Sequence, residues 1–60
     1  MTNGVESLRQ AALARVRAGE VEAAVVLYDQ ALALATDDEV IELLTINKAD
    51  ALITLKERTP

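Results

Sequence analysis

The sequence predicts an all-α protein made of an antiparallel helical hairpin followed by a third helix. The 60 residues include only two Gly and one Pro, and the Pro is the last residue, so the turn signals that β-hairpins require are nearly absent. Leu, Ala, Glu, Arg, Lys and Gln, which are strong helix formers, dominate the chain. Apolar residues recur at spacings of three and four instead of alternating strictly.

The first helix is predicted over residues 4–18. Leu8, Ala12 and Val16 follow one another at intervals of four residues, so they share one face of a helix. Gly19 comes next, and a Gly can adopt the left-handed backbone conformation that ends many helices. We therefore expect a turn at Gly19 and a second helix directly after it.

The second helix is predicted over residues 20–35, where small and apolar residues again have helical spacing. The third helix is predicted over residues 38–57. Thr36 and Glu39 have the spacing of a capping box, in which two side chains bond reciprocally to backbone N–H groups at the start of a helix. We expect Thr36 to cap the third helix, and we expect a single domain over residues 1–60.

The composition argues against several classes of function. The chain has no Cys and no His, so disulfides, thiolate chemistry and soft metal ligands are missing, and we expect no metal and no other cofactor. A net charge of -4 repels the phosphate backbone, so we expect no nucleic-acid partner. There is no signal-peptide pattern and no long apolar segment, which predicts a cytoplasmic protein that does not contact membranes.

Acidic residues cluster where the third helix is predicted to begin. The cluster consists of Asp37, Asp38, Glu39 and Glu42. A calcium loop needs six to eight oxygen ligands and a Gly for its sharp turn, and the sequence contains no such loop. Carboxylates at a helix N-terminus interact favourably with the helix dipole, so we interpret the cluster as capping. The chain also lacks a Ser–His pair and a Gly-rich phosphate loop, and we expect it not to be an enzyme.

The second helix contains a distinctive order of small and aromatic residues. Ala24, Tyr28 and Ala31 lie at intervals of four and three residues, after the turn at Gly19. This order resembles the tetratricopeptide repeat, a helical hairpin of 34 residues whose second helix has an Ala followed four residues later by an aromatic residue. By the same resemblance, Leu8 occupies the first position in the first helix at which the family has a bulky residue.

The resemblance covers about one and a half repeats. Ala12 takes the place of a Gly of the family, and Ala49 lies 37 residues further on, so the third helix resembles the opening helix of a second repeat. The chain departs from the family at Arg15, where a large aromatic residue is usual, and at Thr36, where Pro is usual. A helical bundle unrelated to the family is the alternative.

The resemblance implies a non-catalytic module that binds a partner protein or peptide. In this family the first helix of each repeat lines a groove for the partner. The residues that would line it here are Glu6, Arg9, Leu13, Val16, Leu43, Ile46, Asn47, Asp50 and Ile53. The alternative is that they are ordinary surface and core residues.

Asn47 has two interpretations. In the co-chaperones of this family, an Asn at the matching place helps to hold the terminal carboxylate of a peptide, together with basic residues and a second Asn. Arg9 would stand for one of the basic residues, but Leu13 occupies the position of the second Asn. The alternative is an Asn47 that is exposed or hydrogen-bonded to a neighbouring helix.

The third helix has aliphatic residues on two sides, and one hairpin cannot cover both. Leu43, Ile46 and Ile53 would remain in contact with water in a monomer. We therefore expect a homodimer that forms through the third helix, and head-to-tail stacking of copies in place of the missing repeats is the alternative. A purely structural helical unit that assembles with itself is the alternative function.

Overall fold

The computed structural model describes residues 4–58, which form three α-helices joined by two short turns. Helix α1 spans Gly4–Arg17, α2 spans Val21–Leu34 and α3 spans Asp38–Arg58. These residues contain no strand, so the predicted fold class, an all-α hairpin with a third helix, is confirmed. The predicted bounds differ from the observed ones by one residue at four helix ends, as is usual where helices begin and end.

Helix α1 ends in a Schellman motif at Gly19, whose φ is 83°. The backbone N–H of Glu20 donates to the carbonyl of Arg15 at 2.8 Å, and the N–H of Gly19 donates to the carbonyl of Val16 at 3.0 Å. This pair of hydrogen bonds defines the motif and satisfies carbonyls that the helix end would otherwise leave unpaired. The predicted turn at Gly19 is therefore confirmed.

Asp37 caps helix α3. Its Oδ1 accepts a hydrogen bond from the N–H of Glu39 at 2.9 Å, and its carbonyl accepts one from the N–H of Ile41 at 2.9 Å. These are the two bonds that an N-cap residue makes. The predicted capping box of Thr36 and Glu39 is wrong, because the helix begins one residue later than that box requires.

The core is centred on α2, which packs against both α1 and α3. Tyr28 is the largest side chain of this core and is 1% exposed. Ala24 and Ala31, on the turns before and after it, are fully buried, as are Ala12 of α1 and Leu44 of α3. The small side chains of Ala12, Ala24 and Ala31 let the helices approach closely around the aromatic ring.

Helices α1 and α3 contact each other only marginally, because each packs on α2. An ion pair of 2.6 Å between Lys48 Nζ and Asp29 Oδ1 connects α3 to α2. Helix α3 has 21 residues and α2 has 14, so α3 is longer by about 10 Å at a rise of about 1.5 Å per residue. The side of α3 that faces away from α2 is not covered by any element within residues 4–58.

Candidate partner-binding surface

The residues predicted to line the groove lie on α1 and α3, which both pack on α2, the helix that contains the buried Tyr28. Burial raises the pKa of the Tyr28 hydroxyl above its ordinary value, while the Arg9 guanidinium opposes this rise and the Asp50 carboxylate adds to it. Both charged groups therefore act electrostatically on the same hydroxyl. One of these groups belongs to α1 and the other to α3.

Glu6 and Arg9 form a bidentate ion pair on the surface of α1. Arg9 Nε donates to Glu6 Oε2 at 2.9 Å, and Arg9 Nη2 donates to Glu6 Oε1 at 2.6 Å. Gln10 Nε2 donates to the same Oε1 at 3.0 Å. Hydrogen bonds from Arg9 first, and from Gln10 second, lower the pKa of Glu6 to about 2. A ligand carboxylate would have to compete with Glu6 for the charge of Arg9.

Asn47 lies on α3, one turn before Asp50. The side chain is half-buried, and its Nδ2 is fully buried without a hydrogen-bond partner among residues 4–58. The amide N–H groups of Asn47 therefore do not bond to a neighbouring helix, contrary to one of the predicted alternatives. A ligand acceptor reaches this donor only if the side chain rotates towards the surface.

Four aliphatic side chains of α3 are between 44% and 55% exposed. They are Leu43, Ile46, Leu52 and Ile53. At about 100° per residue, Ile46 and Ile53 lie about 160° to 180° from the buried Leu44, so they point away from α2. Leu43 lies about 100° from Leu44, on the same side of the helix as Asp50.

The predicted groove residues of α1 are less exposed to solvent than those of α3. Leu13 and Val16 are half-buried, and Val16 packs against the core. Glu6 is exposed, whereas its partner Arg9 is half-buried. Val16 therefore lies at the edge of the core, and Glu6 and Arg9 form an ion pair on α1. Ile46 and Ile53 lie on the side of α3 that faces away from α2.

A cleft that no sequence pattern predicted lies where the turn between α1 and α2 meets the end of α3. Its volume is about 540 Å³, and it is lined by Gly19, Glu20, Val21, Glu22, Ala23, Leu55 and Arg58. A Cβ at Gly19 would lie 3.7 Å from Arg58 Nη1. No predicted groove residue lines this cleft. Its position depends on how α3 crosses the hairpin, which no local sequence pattern specifies.

Comparison of the chain with protein-family models found no match, and neither did comparison with curated proteins or with solved structures. Within residues 4–58 there is no helix with both the length and the apolar character that crossing a membrane requires. The resemblance to the tetratricopeptide repeat remains a prediction.

Proposed function

We propose that this protein is a non-catalytic interaction module of tetratricopeptide type that binds a partner protein or peptide. The supporting observation is that Leu43 of α3 is 44% exposed and lies on the same side of that helix as the exposed Asp50. Exposed apolar surface with a polar rim is typical of interaction sites. Full burial of an aliphatic side chain contributes about 1.5–3 kcal/mol, so a partner that covers Leu43 gains roughly half of that.

The charges between α1 and α3 determine which partner segment fits best. Glu6 and Arg9 neutralise each other, whereas Asp50 has no ion-pair partner among the residues from 4 to 58. Leu43 lies on the same side of α3 and supplies an apolar contact. We expect a partner segment that combines aliphatic side chains with at least one Lys or Arg.

A selection from a library of displayed random peptides tests this proposal. Peptides enriched on the wild-type protein should contain aliphatic and basic residues, and calorimetry gives their affinities. Leu43→Asp should weaken binding by about tenfold or more, because it places a charge in the apolar contact. Asp50→Asn should remove the preference for a basic residue.

Val26→Asp is the matched control for Leu43→Asp. Val26 is 55% exposed and lies about 160° from Tyr28 on α2, so it is outside the proposed surface. This variant should bind the selected peptides with unchanged affinity. Failure to enrich any peptide, or an equal loss of binding in both Asp variants, would contradict the proposal.

We also propose that the chain associates with a second copy of itself through α3 and acts in the cytoplasm. The side chains of Ile46 and Ile53 point away from α2 and provide an apolar contact for a second copy. The absence of Cys suits a reducing compartment.

A purely structural self-assembling unit is the second candidate function, and the same exposed side chains favour it. Ile53→Asp separates the two functions, since it should make the protein monomeric. The monomeric variant of an interaction module still binds the selected peptides. A purely structural unit binds no peptide in either form.

A further inference from the structure

We infer that two copies pair through α3 in an antiparallel arrangement whose two-fold axis passes beside Ala49. This inference rests on the proposed self-association and specifies its geometry. The residues concerned form a line along α3, and each of them lies three or four positions from those of the line on the next turn, which is the spacing of a helix–helix contact. We call this line the seam, and it consists of Glu42, Thr45, Ile46, Ala49, Leu52, Ile53 and Lys56, all of them exposed.

The seam faces away from the rest of the chain. At about 100° per residue, Ala49 lies about 140° from Leu44, which is buried against α2. Ile46 and Leu52 lie about 60° to either side of Ala49, whereas Asp50 lies about 100° from it. Pairing through the seam therefore leaves the surface between α1 and α3 open to a different partner.

Ala49 is the smallest side chain of the seam and lies at its centre. The distance between two packed helices depends on the side chains at the contact, so a central Ala lets the two α3 helices approach closely. In the antiparallel pairing, a residue before Ala49 faces the residue equally far after it in the second copy. Ile46 then packs against the partner's Leu52, and Ile53 packs against the partner's Thr45.

Thr45 is compatible with this apolar contact because its hydroxyl is already bonded. Thr45 Oγ1 donates to the carbonyl of Ile41 at 2.8 Å, within the same helix. A hydroxyl that loses water without gaining a partner is costly, but a bond to the carbonyl four residues earlier removes that cost. The methyl group of Thr45 can therefore be buried by the partner's Ile53 with no unsatisfied donor.

The charges at the two ends of the seam specify the antiparallel direction. Glu42 lies seven residues before Ala49 and Lys56 lies seven residues after it. Antiparallel pairing places Glu42 opposite the partner's Lys56 at two symmetric points, whereas parallel pairing places like charges opposite each other at both ends. Among residues 4–58, no ion pair involves Glu42 or Lys56, so both are available for this contact. Antiparallel helices also align their dipoles favourably.

Single cysteines test the position of the axis, since the natural chain has none. Under mild oxidation, Ala49→Cys should form a disulfide-linked dimer almost completely. Lys56→Cys should not, because the two sulfurs would lie about 21 Å apart along the helices at about 1.5 Å per residue, beyond the reach of a disulfide. Disulfide formation by both variants would show a parallel pair and overturn the inference, as would disulfide formation by neither.

Charge reversal tests the direction independently, with dimer affinity measured by sedimentation equilibrium. Lys56→Glu should weaken the dimer by about tenfold, because it opposes two pairs of negative charges. The double variant Glu42→Lys/Lys56→Glu should restore the wild-type affinity. Arg17→Glu makes the same change in net charge on α1 and should leave the affinity unchanged. A double variant as weak as Lys56→Glu would overturn the inference.

These outcomes separate the inference from the proposed function. A protein that binds the selected peptides but sediments as a monomer at high micromolar concentration overturns the pairing and leaves the interaction module intact. A dimer in which Ala49→Cys does not crosslink overturns the axis at Ala49 and leaves self-association intact. Circular dichroism of each variant verifies that its helices are intact.

Discussion

At the scale of single residues, Gly19 shows how one backbone angle ends a helix. Its φ of 83° lies in the left-handed region, which costs a residue with a Cβ about 1–2 kcal/mol. We expect Gly19→Ala to lower the free energy of unfolding in urea by about that amount. The loss comes from the backbone, because the nearest heavy atom, Arg58 Nη1, is 3.7 Å from the added Cβ and leaves room for it.

Gly4→Ala is the control for this substitution. Gly4 begins α1 without a positive φ, and a Cβ there would lie 4.0 Å from Leu34 Cδ1. This variant should be at least as stable as the wild type, because Ala has the higher helix propensity. An equal loss of stability in both variants would mean that the conformation of Gly19 is not the cause.

Glu6 provides a prediction about pH. Its pKa in the folded protein is about 2, below the ordinary 4.5, because Arg9 and Gln10 donate hydrogen bonds to the carboxylate. A carboxyl with a lowered pKa stabilises the fold above its unfolded pKa, so this contribution is complete above about pH 4.5 and is lost as the pH falls towards about 2. A ¹³C NMR titration should give a midpoint well below 4.5.

Arg9→Met should return the midpoint of Glu6 most of the way to 4.5, because the Arg9 hydrogen bond is the largest cause of the shift. An unchanged midpoint in this variant would contradict the assignment.

Some of these residue-level features could be predicted from the sequence, and others could not. Gly19 was predictable because only Gly adopts a left-handed φ at little cost. The pairing of Glu6 with Arg9 was not predicted, although residues three apart on a helix are neighbours and their spacing is a local signal for it. The unbonded Nδ2 of Asn47 had no such signal, because it depends on the packing of α3 against the other helices.

At the scale of helices, substitutions of Thr36 and Asp37 test which of these two residues caps α3. Asp37→Ala should lower the free energy of unfolding by about 1 kcal/mol, because Oδ1 no longer accepts the N–H of Glu39. Thr36→Ala should change it little, since Asp37 makes the cap bonds. Urea unfolding followed by circular dichroism measures both variants. A larger loss of unfolding free energy in Thr36→Ala than in Asp37→Ala would mean that Thr36, and not Asp37, caps α3.

The helices themselves were predictable, and their ends were not fully so. The spacing of Ala24, Tyr28 and Ala31 identified the contact surface of α2, because a buried face needs that period. Thr36 and Asp37 are adjacent and both are suitable N-cap residues, so composition alone does not decide between them. The choice depends on which carbonyl accepts the first helical hydrogen bond, and in the structure that is the carbonyl of Asp37.

At the scale of the whole molecule, the proposed pairing of α3 predicts a melting temperature that rises with protein concentration. Binding of a second copy to the folded chain stabilises it by mass action. Ile53→Asp should melt at a lower temperature that does not depend on concentration. Val26→Asp changes an equally exposed side chain and should retain the dependence. A wild-type melting temperature that is constant over about a hundredfold range of concentration would contradict self-association.

The candidate surface as a whole was only partly predictable. The sequence assigned nine residues of α1 and α3 to one groove, because the family resemblance groups them. Val16 instead packs against the core, and Ile46 and Ile53 point away from α2. These differences arise because α1 and α3 pack on α2 and scarcely contact each other.

The same packing scheme has a consequence for the speed of folding. Helix α2 contacts the helix before it and the helix after it, whereas α1 and α3 are nearly independent of each other. Most contacts therefore join segments that are close along the chain, and little loop-closure entropy is lost before they form. Helical proteins with such local contacts fold in microseconds to milliseconds. Temperature-jump relaxation of the monomeric Ile53→Asp variant should fall in this range, with the pairing of two copies following as a slower step that depends on concentration.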